Sequence, residues 1–166
     1  MRDQAINKLI SIQENIKNLN IKNDIPAQII CVSKTFPLSK LLPLVNFGHF
    51  HFGENKVKEA EEKWSDLKKR NKNLKLHMVG RLQTNKVKKA VQIFDFIHSV
   101  DSKKLADNLK KREEEINRKL SYFIQINLGN ESQKGGVNRQ EAESFIIYCK
   151  NELKINVIGL MNTQLA

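Results

Sequence analysis

The sequence lacks the features that mark several classes of protein. None of its 166 residues belongs to a run of about eighteen consecutive apolar residues, so we expect no membrane-spanning helix. Residues 1–8 have no apolar core of the signal-peptide kind, which predicts a cytoplasmic protein. A P-loop, a Rossmann glycine fingerprint and a Ser-His-Asp order are all missing, so three common kinds of active site have no support.

Cysteine and aromatic residues are also scarce. The two cysteines, Cys31 and Cys149, lie among apolar neighbours without metal-binding or disulfide spacing, so we expect both to be packed thiols. Aromatic residues make up 7% of the chain and do not alternate with basic ones, as a base-stacking surface would need. The net charge of +11 is therefore better explained by solvated lysine-rich helix faces than by specific nucleic-acid binding.

One short apolar stretch organises the N-terminal part of the chain. Residues 29–32 show the pattern of a strand buried on both faces, and Pro37 ends the extended segment soon afterwards. Because side chains alternate along a strand, Lys34 shares a face with Ile30 and Val32. A lysine among core residues is desolvated, which lowers its pKa and exposes a nucleophilic amine. The alternative is that Lys34 extends out of the strand end into solvent.

Strand-like and helix-like segments alternate along the chain. Apolar residues at three- and four-residue spacing predict helices, and short apolar runs predict strands. The predicted strands are 29–32, 49–52, 74–79, 94–100, 121–127 and 156–160, with a glycine-rich loop at 128–137. The predicted helices are 3–20, one that starts at a Ser39 cap, 55–70, one around 87–91, one capped by Asp101 and Ser102 that reaches Leu120, and one around 142–149.

This alternation predicts βα units and a parallel sheet in one domain, residues 1–166. An open doubly wound sheet and a (β/α)8 barrel of the TIM type both fit, and the missing glycine fingerprint favours the barrel. About six of its eight units are then present. Functional residues of such barrels lie at the C-terminal ends of the strands, which is where the polar and glycine residues of this sequence concentrate.

The four histidines lie within the predicted strands. His49 and His51 would share one strand face, so a metal site is conceivable, but no carboxylate or cysteine is placed to complete it. His77 and His98 lie inside strands, where hydrogen-bonded core histidines are commoner than metal ligands. The sequence therefore predicts no metal site.

A series of short motifs resembles one known family. The motifs are Val-Ser-Lys-Thr at 32–35, Phe-Gly-Glu-Asn at 52–55, His-Met-Val-Gly-Arg-Leu-Gln-Thr-Asn-Lys at 77–86, Gln-Ile-Asn at 125–127, Glu-Ser-Gln-Lys-Gly at 131–135 and Gly-Leu-Met at 159–161. Their order and spacing resemble the YggS-type pyridoxal phosphate homeostasis proteins, which are relatives of the alanine racemase N-terminal barrel. The resemblance covers residues 29–161, nearly the whole chain.

The resemblance implies a cofactor-binding protein without robust catalysis. It implies that Lys34 holds pyridoxal 5'-phosphate (PLP) as a Schiff base and that Asn55 and His77 line the pocket. Such proteins buffer PLP or deliver it. The resemblance therefore implies PLP-dependent apoenzymes as partners, and it implies that loss of the protein disturbs vitamin B6 pools. A PLP-dependent amino-acid racemase is the alternative, although Tyr122 and Tyr148 are the only tyrosines and neither ends a predicted strand. A basic nucleic-acid-binding module is a third interpretation.

The resemblance also predicts a C-terminally truncated barrel. After residue 161 the sequence departs from the family pattern, and the two further βα units that bind the cofactor phosphate do not follow. We therefore expect open strand edges at both ends of the sheet, self-association through these edges and weakened cofactor binding.

Overall fold

The computed structural model describes residues 4–19, 27–129 and 135–162. Within these ranges, parallel strands alternate with helices along the chain. The strands are β1 (Cys31–Val32), β2 (His51–Glu54), β3 (Lys75–Met78), β4 (Phe96–Val100), β5 (Ser121–Asn127), β6 (Val137–Asn138) and β7 (Asn156–Met161). The helices are α1 (Gln4–Asn18), α2 (Leu38–Asn46), α3 (Val57–Arg70), α4 (Val87–Ile93), α5 (Lys103–Glu115) and α6 (Ala142–Ile147), with a 3-10 turn at Thr84–Lys86 and a π turn at Tyr148–Glu152.

All strand pairs are parallel, and the described strands form one open sheet. Its order is β1, β2, β3, β4, β5, β7, and the two-residue strand β6 pairs with the last two residues of β5. In the part of the chain that the structure describes, β1 pairs only with β2 and β7 only with β5, so the sheet does not close. The predicted α/β architecture, about six units of a (β/α)8 barrel, is confirmed.

One face of the sheet packs against the helices and forms the core. Six side chains of β2 to β5 on this face are at most 1% exposed: Phe52, Leu76, Met78, Ile97, Tyr122 and Ile124. Trp64 of α3 is fully buried against them, with its ring centroid 4.7 Å from that of Phe52. Burial of an apolar side chain of this size contributes about 1.5–3 kcal/mol. The opposite face, which the helices do not cover, is called the inner face below.

A carboxylate beside β4 ties the N-terminal edge of the sheet to helix α3. Asp95 Oδ2 accepts a hydrogen bond from the backbone N–H of Leu76 at 2.8 Å and another from Lys68 Nζ. Asp95 Oδ1 accepts from Arg118 Nη2 at 2.7 Å, and Lys68 also donates to the carbonyl of Ile93 at 2.6 Å. Both oxygens of Asp95 are therefore paired, and Lys68 fixes the C-terminal half of α3 against the sheet.

The strand boundaries differ from the predicted ones mainly in the first two strands. β1 holds only Cys31–Val32, and Val32 is 46% exposed, so the prediction of a strand buried on both faces is wrong. β2 begins at His51 because the chain is still leaving α2 at Gly48, which has a φ of +98°, and the N–H of His49 donates to Leu44 O at 3.0 Å. The β5 boundaries match the prediction.

The helix boundaries also correct the predictions in part. Pro37 is the N-cap residue of α2, without a side-chain hydrogen bond, so Ser39 is not the cap. The cap predicted for α5 is confirmed, since Ser102 accepts from the N–H of Leu105, but the helix ends well before Leu120. Among the described helices, none combines the length and apolar content that crossing a membrane requires.

Both cysteines are free thiols packed in the fold, as predicted. Cys149 is buried, and Cys31 is half-buried in β1. Burial raises the pKa of both thiols, and the charge of Glu54 raises that of Cys31 further. Neither thiol is therefore activated for nucleophilic chemistry.

Candidate functional site

The C-terminal edge of the sheet collects the residues that the sequence singled out. Lys34 follows β1, Asn55 directly follows β2, and His77 lies within β3. The pairing register sets Val32 beside Gly53 and Gly53 beside His77, so Lys34 and Asn55 lie two residues nearer the edge than His77. The three predicted site residues thus belong to three neighbouring strands. Among the described contacts, no hydrogen bond joins the Lys34 side chain to Asn55 or His77.

Lys34 lies in a tight turn at the end of β1. The backbone N–H of Ser33 donates to Gly53 O at 2.8 Å, and the N–H of Phe36 donates back to Ser33 O at 3.2 Å. Thr35 has a φ of +69°, a left-handed conformation that a β-branched residue rarely adopts and that costs about 1–3 kcal/mol. The turn is strained, so the surrounding structure must hold it.

The Lys34 side chain is exposed, so the predicted desolvation of its amine is wrong. Alternation does set Ile30 and Val32 on one face, where both approach Gly53. That face is the inner face, however, and neither helices nor further described strands cover it. The solvent-exposed alternative is the correct one, and it leaves the amine accessible to a ligand.

Five rings lie side by side on the inner face, and three of them form a histidine chain, His51, His77 and His98. His51 Nδ1 is 3.0 Å from His77 Nε2, and His77 Nδ1 is 2.9 Å from His98 Nε2. Phe96 stacks on His77 at 4.2 Å between centroids, and Phe123 stacks on His98 at 4.2 Å. The prediction that His77 and His98 are hydrogen-bonded residues inside strands is confirmed.

Burial keeps the histidine chain neutral at neutral pH. It lowers the pKa of His77 to about 3, with help from the two neighbouring imidazoles, and the pKa of His98 to about 4. The pKa of His51 is also lowered, first by burial. A neutral imidazole has one N–H donor and one acceptor nitrogen. Because His77 uses both nitrogens, the N–H groups of the chain must all point the same way, from His51 towards His98 or the reverse.

His49 does not join this chain. It precedes β2 instead of sharing a strand face with His51, and its Nε2 donates to the backbone oxygen of His51 at 2.9 Å. The described residues contain no group of three or more histidine, cysteine, aspartate or glutamate side chains arranged to hold a metal ion.

A buried carboxylate beneath the Lys34 turn was missed by the sequence analysis. Glu54 is fully buried on the helix-facing side of β2, and its Oε1 accepts three hydrogen bonds. They come from Ser33 Oγ at 2.8 Å, Lys63 Nζ at 2.8 Å and Trp64 Nε1 at 2.9 Å. Lys63 Nζ also donates to the backbone oxygen of Ser33 at 2.9 Å. We call these four residues the Glu54 cluster.

Lys63 makes its ion pair with the buried Glu54 instead of with a surface carboxylate. Glu59, which lies four residues before Lys63 on α3, pairs with Lys56 at 2.7 Å. Alternation along the strand could have pointed to Glu54 in the sequence, because Glu54 lies on the same strand face as Phe52. A carboxylate on the core face requires hydrogen-bond partners.

Close backbone packing fixes the loops after β2 and β3. A Cβ on Gly80 would lie 2.5 Å from the backbone oxygen of Asn55, so glycine is needed there. A Cβ on Gly53 would lie 3.3 Å from Val79 and 3.4 Å from Ile30 on the inner face. Asn55, which is half-buried, therefore sits on a fixed backbone, and the side chains of Val79 and Ile30 fill the space beside Gly53.

Comparison with known proteins assigns this arrangement to a family. The sequence model of the alanine racemase N-terminal domain matches residues 8–164. A pyridoxal phosphate homeostasis protein of Pasteurella multocida is 32% identical over 156 residues, which cover 92% of this chain and 67% of that protein. The chain belongs to the pyridoxal phosphate homeostasis family. Another such protein, from Aquifex aeolicus, is 37% identical over 135 residues, 81% of this chain and 58% of that protein.

Solved structures of this family share the fold. PipY of Synechococcus elongatus PCC7942 without PLP superposes with a TM-score of 0.78 and 33% identity, over 93% of this chain and 72% of PipY. The structure of PipY with PLP bound gives a TM-score of 0.76 and 32% identity, over 92% of this chain and 70% of PipY. The chain thus spans between 58% and 72% of the length of these family members.

We predict that replacing His77 by glutamine flattens the acid side of the stability curve. His77 titrates at about 3 when folded and near 6.5 when unfolded, so the unfolded chain binds more protons between these pH values. The stability contributed by neutral His77 is fully present above the unfolded pKa. It falls by up to about 1.4 kcal/mol per pH unit as the pH drops towards the folded pKa. Urea unfolding at about pH 7 and about pH 4.5 measures this loss, which should be smaller in His77→Gln.

Leu76→Ala is the matched control for this experiment. Leu76 is fully buried next to His77, and its truncation should cost about 2–5 kcal/mol at both pH values while the histidine chain stays intact. An acid dependence in His77→Gln as steep as that of the wild type would contradict the prediction.

Proposed function

We propose that this chain holds PLP as a Schiff base on Lys34 and serves intracellular PLP homeostasis. The observation that carries the proposal is the accessible Lys34 amine in a fixed turn at the end of β1. Its relatives are named pyridoxal phosphate homeostasis proteins, and PipY has been solved with PLP bound.

The residues around Lys34 suit a flat ligand that carries an aldehyde. PLP, when bound, supplies that aldehyde on an electron-withdrawing ring. The Lys34 amine would form a C=N bond with that aldehyde carbon, and the two amine hydrogens would leave with the aldehyde oxygen as water. His77 is a neutral, almost fully buried ring that stacks on Phe96 and has both nitrogens hydrogen-bonded, so it would support the ligand by packing alone. Asn55 offers an amide donor and acceptor at the edge.

Storage and delivery of PLP fit this surface better than racemisation. Tyr122 is fully buried on the helix-facing side, where burial and Glu113 raise its pKa far above the ordinary range. The Tyr148 hydroxyl donates to Asp107 at 2.6 Å, which raises the Tyr148 pKa to about 12. Neither tyrosine reaches the inner face as a second acid or base beside Lys34. Delivery to PLP-dependent apoenzymes in the cytoplasm stays a prediction.

The first test is to trap the adduct on Lys34. PLP should give a visible absorption band, and borohydride should reduce the C=N bond to a stable amine that peptide mapping locates at Lys34. Lys34→Ala should lose both signals. Lys40→Ala, which removes an exposed lysine in the first turn of α2, is the matched control and should retain them. An adduct spread over surface lysines with Lys34 unmodified would overturn the assignment.

We also expect no substantial racemisation of alanine in the presence of PLP. Racemisation needs acid and base groups on both faces of the substrate α-carbon, and the described residues place no tyrosine opposite Lys34. Chiral analysis of D- and L-alanine after incubation measures the activity. Turnover at ordinary enzymatic rates that Lys34→Ala abolishes would make the racemase the better interpretation.

Self-association through the sheet edges is the remaining prediction. β7 has one unpaired side among the described strands, and its Ile158 and Leu160 are 49% and 60% exposed. Sedimentation velocity should show association that rises with protein concentration and weakens in the Ile158→Lys, Leu160→Lys variant. Leu19→Lys, at an exposed apolar position in the N-terminal segment, is the control. A monomer at every concentration would contradict the prediction.

A further inference from the structure

Helix α3 supports the turn that carries Lys34 through the side chain of Lys63. The peptide group between Ser33 and Lys34 has one carbonyl oxygen, and that oxygen accepts from Lys63 Nζ at 2.9 Å and from the N–H of Phe36 at 3.2 Å. The hydrogen bond from Phe36 closes the turn, and Lys63 holds its acceptor in place. Thr35, at a φ of +69°, lies between these two anchored positions.

Lys63 is held in turn by the buried carboxylate of Glu54. Glu54 Oε1 accepts from Lys63 Nζ at 2.8 Å and from Ser33 Oγ at 2.8 Å, so one oxygen fixes both the side chain and, through Lys63, the carbonyl of Ser33. Trp64 adds a third donor at 2.9 Å and fastens the carboxylate to α3. Glu54 is fully buried, and Lys63 keeps only 13% of its side chain exposed, so water does not replace these bonds easily.

Only one oxygen of the Glu54 carboxylate takes part in the cluster. Glu54 Oε2 is buried and has no hydrogen-bond partner among the described residues. A buried carboxylate oxygen without a protein partner is unfavourable, so the charge of Glu54 depends on the three donors at Oε1. Asp95 is the contrast, because both of its oxygens are paired.

We propose that Glu54, acting through Lys63, is a positioning residue that holds the Ser33–Phe36 turn in its left-handed form and so sets the direction of the Lys34 amine. Without the carboxylate, Lys63 has no counter-charge and releases the Ser33 carbonyl, and Thr35 returns to an ordinary extended or right-handed conformation. Lys34 then leaves the inner-face edge that Asn55 borders. The inference deepens the proposed PLP site and rests on it for its biological meaning.

The test compares Glu54→Gln with Asp95→Asn. The glutamine keeps an acceptor for Ser33 and Trp64 but removes the charge that holds Lys63. Asp95→Asn removes the charge that holds Lys68, of the same helix, at the opposite edge of the sheet. Two readouts use the protein without PLP: amide hydrogen exchange at residues 34–36, and the rate of Lys34 methylation by formaldehyde and borohydride, located by mass spectrometry.

We expect Glu54→Gln to speed exchange of the Phe36 amide by about tenfold or more, which corresponds to losing one hydrogen bond made by a charged group. The Lys34 methylation rate should change in the same variant, and the yield of borohydride-trapped PLP on Lys34 should fall. Lys63→Met should reproduce these effects. Asp95→Asn should leave all three signals at wild-type values once the folded fraction is corrected for.

Thr35→Gly in the Glu54→Gln background supplies the rescue. Glycine adopts a φ of +69° without strain, so the turn should form again without the carboxylate and the exchange of the Phe36 amide should slow. Unchanged exchange and methylation in Glu54→Gln, or equal changes in Asp95→Asn, would overturn the positioning role. Failure of the wild type to form any PLP adduct at Lys34 would instead overturn the proposed function, while the exchange data would still decide the role of Glu54.

Discussion

Parallel strand pairing is the constraint on which the rest of this structure depends. Two neighbouring parallel strands must be joined by a crossover, and the crossovers here set their helices against one face of the sheet. The same constraint brings the ends of β1, β2 and β3 to a single edge. The two faces of the sheet therefore carry different groups of residues. The helix-facing side carries the packed core and the Glu54 cluster, and the inner face carries the histidine chain.

The sequence was sufficient for the architecture, because the architecture depends on local patterns. Apolar runs separated by helical periodicity predict β5 to the residue, and alternation correctly pairs Ile30 with Val32 on one face. Alternation cannot tell whether a face is covered, which is why the burial predicted for Lys34 was wrong. Coverage depends on which distant segments pack there.

Long-range partners explain what the sequence could not show. The pairing of Lys63 with Glu54 joins α3 to β2, and the contact with Ser33 joins residues thirty positions apart. Helical spacing alone favours Glu59 as the partner, since it ignores the buried charge that needs a cation. The histidine chain was hidden for the same reason. Its hydrogen bonds join β2, β3 and β4, and only the register of the sheet makes the rings adjacent.

Helix α3 is mounted on the sheet at two points. Its Lys63 is bonded to Glu54 near the C-terminal edge, and its Lys68 is bonded to Asp95 near the N-terminal edge. Lys68 lies five positions after Lys63, which corresponds to a rise of about 7.5 Å along the helix axis. A shift of α3 along its axis, or a rotation about it, would break both ion pairs together. The two pairs therefore fix both the axial position and the rotation of the helix. Substitutions on the solvent-exposed side of α3 should therefore leave the edge at which Lys34 lies unchanged.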